Sequence, residues 1–152
     1  SGDTTTLTVL KSPAAERGVA LSPNGRWMAY ASDESGNYEV YIVSFPVPTS
    51  RQLVSRGGGT TPRWRADGQE LFFMGGTHMM AVPVTPGTNL GIGEPTRLFP
   101  HESFLRNVNR AEYDVAGDGR RFLMIRSLTT AAESDLVYVQ NFATELRQKL
   151  QK

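Results

Sequence analysis

The sequence contains no cysteine and only two histidines, His78 and His101, so several classes of function lack the side chains that they require. Without cysteine there is no disulfide framework, no thiolate zinc site and no cysteine nucleophile. Neither histidine falls in a metal-ligand spacing such as H-E-x-x-H. We therefore interpret both as ordinary strand or surface residues and predict no catalytic residue, no metal site and no cofactor.

An excess of charge and long apolar runs are also lacking. The 152 residues carry 16 Lys plus Arg against 15 Asp plus Glu, a formal net charge of +1. Such a chain has no strong positive field for nucleic acid or an anionic membrane, so we expect neither as a partner. No stretch reaches 18 consecutive apolar residues, and membrane insertion is not expected. With 39% hydrophobic residues the composition is that of one ordinary domain. The opening Ser1-Gly2 suggests a piece excised from a longer protein.

Phosphate-binding and nucleophile motifs are incomplete or missing. The glycines at 57–59 are not followed by Lys-Ser/Thr as in a P-loop, Gly91-Ile92-Gly93 fails in the same way, and no G-x-S-x-G occurs. We interpret the glycine runs as loops between strands. The acidic and amide side chains at 33–39 offer oxygens to calcium or simply form a hairpin turn, and the spacing favours the turn.

An internal repeat carries most of the information. Three Asn-Gly or Asp-Gly pairs, each flanked by apolar runs, predict three β-hairpins because glycine supplies the positive φ that such turns need. The pairs are Asn24-Gly25, Asp67-Gly68 and Asp118-Gly119. The first interval is 43 positions and the second 51, close to the 40–45 residues of a propeller blade. A Gly/Pro-rich loop at 85–95 accounts for the longer second interval.

The strand pattern predicts an all-β chain: a partial β-propeller of three four-stranded antiparallel blades in one half-propeller domain, 1–152. The blades are predicted at 18–55, 60–99 and 111–141, the last of them lacking its fourth strand. A spare β-branched strand at 4–11 precedes them, and Phe142, Leu146 and Leu150 at i, i+4, i+8 predict a short C-terminal helix at 142–150. Three blades cannot close a ring, since propellers need about 4 to 8.

Two segments carry a family resemblance. Residues 21–32, Leu-Ser-Pro-Asn-Gly-Arg-Trp-Met-Ala-Tyr-Ala-Ser, followed by Gly-Asn-Tyr-Glu-Val-Tyr at 36–41, resemble the Ser-Pro-Asp-Gly repeat of TolB-like, WD40-like (PD40) β-propellers. Asn24 stands where the repeat usually has Asp, and the third copy lacks Ser-Pro. The chain is also similar to the C-terminal propeller half of bacterial eukaryotic-like serine/threonine kinases and winged-helix regulators, at Phe45-Pro46 and at segments 57–64, 67–73, 80–84, 137–142 and 145–147. No kinase motif is present.

The resemblance implies a non-catalytic scaffold for protein–protein interaction or sensing, the C-terminal fragment of a larger bacterial signalling or envelope protein in a periplasmic or other extracytoplasmic setting. The alternative is the propeller of a prolyl-oligopeptidase-type hydrolase, which gates a separate catalytic domain. The expected partners are unidentified proteins and a second copy that closes a six-bladed ring, in which residues 4–11 pair with 135–141 of the other chain. The predicted contacts for that oligomer are Leu7, Val9, Leu136, Tyr138, Phe142 and Leu146.

Overall fold

Antiparallel β-sheets form the described part of the fold. The structure, a computed structural model, describes residues 6, 8–102, 104, 107, 109–127 and 134–140. These residues contain twelve strands in three successive sheets and no helix. The predicted fold class, an all-β partial β-propeller, is confirmed, and each sheet is one blade of it.

Blade 1 is a four-stranded meander in which each strand pairs with the next along the chain. Its strands are β1 (Glu16–Leu21), β2 (Trp27–Ser32), β3 (Glu39–Ser44) and β4 (Arg51–Leu53). All of β2 and nearly all of β3 are buried, since both faces of this sheet are covered. This explains why these two strands read as near-continuous apolar runs rather than as an alternating pattern.

Blade 2 has five strands, one more than the sequence predicts. They are β5 (Thr60–Trp64), β6 (Glu70–Met74), β7 (His78–Thr85), β8 (Gly91–Ile92) and β9 (Thr96–Pro100). The extra strand is β8, which lies in the predicted Gly/Pro-rich loop and pairs with the end of β7. The interpretation of this whole segment as a loop was therefore wrong at Gly91–Ile92, where Ile92 is apolar and packs against the core between blades 1 and 2.

Blade 3 follows with three strands in the described residues, in the order in which they occur in the chain. They are β10 (Tyr113–Val115), β11 (Arg121–Ser127) and β12 (Ser134–Gln140). The predicted helix at 142–150 lies outside the described residues.

All three repeats share one turn geometry. Gly25, Gly68 and Gly119 have φ of 67°, 71° and 68°. In each turn the glycine N–H donates to the carbonyl three residues earlier, at 2.9, 2.9 and 2.8 Å. The preceding Asn24, Asp67 or Asp118 accepts the N–H two residues later through its side chain. The third turn therefore matches the other two although it lacks Ser-Pro.

Two apolar clusters join the blades. The cluster between blades 1 and 2 includes Trp27, Ile42, Leu71 and Phe73. The cluster between blades 2 and 3 includes Phe72, Met79, Tyr113, Phe122 and Met124. Alternate residues of β6 thus serve opposite clusters, as expected for a strand with two covered faces.

The segment before blade 1 differs from its prediction. A strand is predicted at 4–11, but residues 8–11 are described and form no strand. Val9 and Leu10 instead pack against the buried cluster Met28, Tyr30, Tyr41 and Val43 on the far side of blade 1. Burial of its apolar side chains against a sheet face stabilises this β-branched segment without strand pairing.

Candidate functional site

Among the residues that the structure describes, no three His, Cys, Asp or Glu side chains are grouped as metal ligands. His101 is only 1% exposed and lies outside the strands, in contrast to the strand or surface position predicted for it. Its Nε2 is 2.9 Å from the carbonyl oxygen of Gly75, and its backbone N–H donates to Thr77. His101 therefore connects the β6–β7 turn to the chain that follows β9 through both its imidazole and its backbone.

The acidic segment considered for calcium uses its oxygens within the protein. Asp33 Oδ1 accepts the Ala15 N–H at 2.8 Å, and Glu34 pairs with Arg51 at 2.6 Å. The Arg51 hydrogen bond holds the pKa of Glu34 below its usual value. Glu39 is buried, and its carboxylate accepts hydrogen bonds that fix one wall of a groove between blades 1 and 2.

Two arginines beside the repeat turns form ion pairs. Arg65 contacts Asp67 at 2.7 Å and Glu70 at 3.0 Å, and Arg121 contacts Asp118 at 3.0 Å. The hydrogen bond from Arg65 lowers the pKa of Asp67. These contacts satisfy both guanidinium groups within the protein.

Polar bonds join neighbouring blades. Trp64 Nε1 donates to the Ala20 carbonyl at 3.1 Å, linking blade 2 to blade 1. The buried Tyr113 hydroxyl donates to the Thr61 carbonyl at 2.6 Å, linking blade 3 to blade 2. Burial raises the pKa of Tyr113 far above its usual value. Each of these hydrogen bonds joins two blades that also share an apolar cluster.

The arc has two ends, and the first is covered. The outer face of blade 1, formed by Met28, Tyr30, Tyr41 and Val43, is buried beneath Val9, Leu10 and Phe45. The Arg51 guanidinium also lies 3.9 Å from the Tyr41 ring centre, a favourable cation–π arrangement. The chain therefore caps this end with its own residues.

The second end has an exposed apolar face in the part of the chain that the structure describes. Leu123, Leu136 and Tyr138 are 40%, 70% and 52% exposed. Leu123 is paired with Tyr138, and Leu136 with Ile125, so these side chains share one side of the sheet. The other side, which includes Phe122 and Met124, is packed in the core. We call this exposed side the outer face of blade 3.

The predicted oligomer contacts are divided between the two ends. Val9 lies at the covered end, whereas Leu136 and Tyr138 lie on the outer face of blade 3. Leu7, Phe142 and Leu146 lie outside the described residues. Sequence reasoning missed Leu123, although its register opposite Tyr138 follows once the β11–β12 hairpin is aligned.

A groove lies between blades 1 and 2. Its volume is about 660 Å³, and it is bounded by β4 and the loop after it, by the β6–β7 turn, and by the chain at 92–97. We call it the interblade groove. Glu39 fixes one wall by accepting the N–H groups of Gly57 and Gly58 at 2.8 and 2.9 Å and the hydroxyl of Ser55. The sequence analysis did not single out its charged residues, Arg56, Arg97 and Glu94.

Comparisons with known proteins bear on the fold. No family model and no curated protein matches the chain. Among solved structures, an oligogalacturonate lyase from Vibrio parahaemolyticus aligns with a TM-score of 0.62 and 14% identity, covering 90% of this chain and 40% of that one. A putative TolB from Agrobacterium tumefaciens aligns with a TM-score of 0.56 and 12% identity, covering 86% of this chain and 47% of that one.

The class that these observations define is a partial β-propeller. More narrowly, its fold is that of the TolB-like propellers. The chain spans less than half the length of either similar structure. In the described part of the chain, no helix is long and apolar enough to cross a membrane.

Proposed function

We propose that this chain is a non-catalytic propeller scaffold that works by binding other proteins. The observation that carries the proposal is the outer face of blade 3, where three large apolar side chains are exposed on a sheet whose other face is core. Contiguous apolar surface beside an unpaired strand edge is a liability in water unless another protein surface covers it. The resemblance to the propeller half of bacterial kinases and winged-helix regulators favours a signalling or envelope protein as the parent, in an extracytoplasmic setting.

Two copies of the arc offer one way to cover this face. A ring of two arcs would place the outer face of blade 3 in each copy against blade 1 of the other, with six blades in total, within the range of propellers. Val9 and Leu10 lie at that junction because they already cover the outer face of blade 1. Strand exchange there would pair residues 4–11 with the edge of β12 in the second copy, the edge that pairs with no strand among the described residues.

Solution mass tests the proposal. Size-exclusion chromatography with light scattering should give twice the monomer mass for the wild-type chain. Leu136→Glu should give the monomer mass, because a carboxylate on the outer face of blade 3 cannot be buried without a large desolvation cost. Val47→Glu is the matched control, since Val47 is 62% exposed in the β3–β4 turn, away from that face, and should leave the dimer intact.

Deletion of residues 1–11 provides a second test. It should abolish the dimer, because the proposed closure needs this segment at the junction. A wild-type monomer would contradict ring closure by a second copy, and a dimer that survives both Leu136→Glu and the deletion would place the contact elsewhere on the molecule.

A further inference from the structure

The interblade groove has features of a binding site that are independent of the ends of the arc. Its volume of about 660 Å³ lies within the 300–1,000 Å³ typical of ligand sites. One side is formed by β4, the last strand of blade 1, which pairs only with β3 in the described residues. The outer edge of β4 is therefore open to pairing with another extended chain.

The charges of the groove are unbalanced. Arg56 and Arg97 line it, and within the described part of the chain neither forms an ion pair. His78 also lines it, with Nδ1 2.8 Å from the Thr77 hydroxyl, an arrangement that leaves Nε2 available to a ligand. Glu94 is the one acidic residue of the lining. The excess of donors favours an occupant that carries carboxylates.

The groove also offers apolar surface. Leu53 is 44% exposed and Ile92 and Met80 are half-buried at the lining, above the buried Phe73. The walls are rigid, because Glu39 holds the Gly57 and Gly58 amides and the two glycine turns lie against each other. A preformed groove loses less entropy on binding than a mobile one.

We propose that the interblade groove binds an extended peptide segment of a partner protein, with carboxylates facing Arg56 and Arg97 and an aliphatic side chain on Leu53 and Ile92. The open edge of β4 favours a peptide over a saccharide, because an extended backbone can add to a strand edge through main-chain hydrogen bonds. This proposal rests on the scaffold function and names the chemical class of its partner.

A titration followed by nuclear magnetic resonance tests it. The probe is an acetylated, amidated hexapeptide, Ser-Glu-Val-Glu-Leu-Ser, added to the ¹⁵N-labelled full chain. Backbone amide shifts should change at 52–58, 75–78 and 92–97 and stay constant on blade 3. The same peptide with glutamine in place of both glutamates should bind more weakly.

Matched arginine variants locate the charge effect. Arg56→Ala and Arg97→Ala should each raise the dissociation constant about two- to fivefold, the range expected for exposed ion pairs. Arg120→Ala, an exposed arginine on blade 3 outside the groove, should leave it unchanged. Leu53→Ser should weaken binding without changing the preference for glutamate over glutamine.

The outcomes separate this proposal from the wider one. Absence of shifts in the groove with the acidic peptide, or equal binding of the glutamine peptide, overturns the proposal. Stronger binding of oligogalacturonate at the same amides also overturns it, in favour of an anionic saccharide. If the peptide fails to bind while Leu136→Glu still converts a dimer to a monomer, the groove assignment is wrong and the scaffold function stands.

Discussion

The hydroxyl of Tyr113 is the most direct test of how blade 3 is joined to blade 2. Thr61 lies in a bulge of β5 with φ of 50°, where the register against β6 shifts between Thr60 and Arg63. The Thr61 carbonyl oxygen accepts a hydrogen bond from the Tyr113 hydroxyl, with 2.6 Å between the two oxygen atoms. Tyr113→Phe keeps the ring and removes this donor, which leaves a buried carbonyl without that partner.

The expected cost is about 1–3 kcal/mol, the range for a buried polar group that loses its hydrogen bond. For a chain of this size each kcal/mol lowers the melting temperature by about 2–4 °C. Urea unfolding followed by circular dichroism measures the difference, with an unchanged m-value as the sign that the unfolded state is the same. Tyr138→Phe is the control, because Tyr138 is 52% exposed and its loss of a hydroxyl should change stability by less than about 0.5 kcal/mol.

The same variant has a pH signature. In the unfolded chain Tyr113 ionises near pH 10. In the folded chain burial raises its pKa, so the folded state keeps the proton and wild-type stability falls as pH rises above 10, by up to about 1.4 kcal/mol per pH unit. Tyr113→Phe lacks this component, so the gap between the two stability curves should narrow as pH rises above 10, by up to about 1.4 kcal/mol at pH 11. Equal stability of Tyr113→Phe and wild type at pH 8 would refute the reasoning.

Two further predictions concern the repeat turns. Gly25→Ala should cost about 1–2 kcal/mol from positive φ alone, because an added Cβ meets nothing within 4 Å. Gly119→Ala should cost more in urea unfolding, since its Cβ would lie 3.2 Å from Cζ of the buried Phe72 as well as 2.6 Å from Cδ of Arg65. Equal losses would contradict this. The double variant Asp67→Asn, Asp118→Asn should fold normally at pH 7, since Asn24 makes the same backbone contact in the first turn. A guanidinium hydrogen bond lowers the pKa of Asp67, and a backbone N–H lowers that of Asp118, so wild-type stability is lost as pH falls below about 4. The double variant should lose less on acid titration, and an identical acid profile would contradict the assignment.

The hairpins are predictable from sequence because their chemistry is local. Asn-Gly and Asp-Gly specify a positive φ and a side-chain acceptor within four residues, and Gly25, Gly68 and Gly119 have that geometry. Apolar runs on either side then define strands, and the repeat spacing groups the strands into blades. No contact distant in sequence is needed for these steps.

Long-range contacts account for what the sequence analysis missed. β1 begins at Glu16, earlier than predicted. Within this strand Gly18 has a φ of 60°, and an added Cβ there would lie 3.2 Å from the Cα of Thr61 in the neighbouring blade. The interblade groove likewise combines Arg56 with Arg97, residues of different blades that only the packing of two sheets brings together. For Val9, an apolar side chain fits a strand and a sheet cap equally well, and the sequence pattern does not distinguish them.

The difference between the ends of the arc determines how a ring of two copies would depend on each residue. Val9 and Leu10 already bury the outer face of blade 1, so they contribute to the fold of a single chain and would also lie inside the proposed junction. Leu136 is 70% exposed and contributes little to the single chain. A charge at Val9 should therefore weaken both folding and association, whereas a charge at Leu136 should weaken association alone. A charge on the outer face of blade 3 therefore tests the proposed assembly separately from the stability of the single chain.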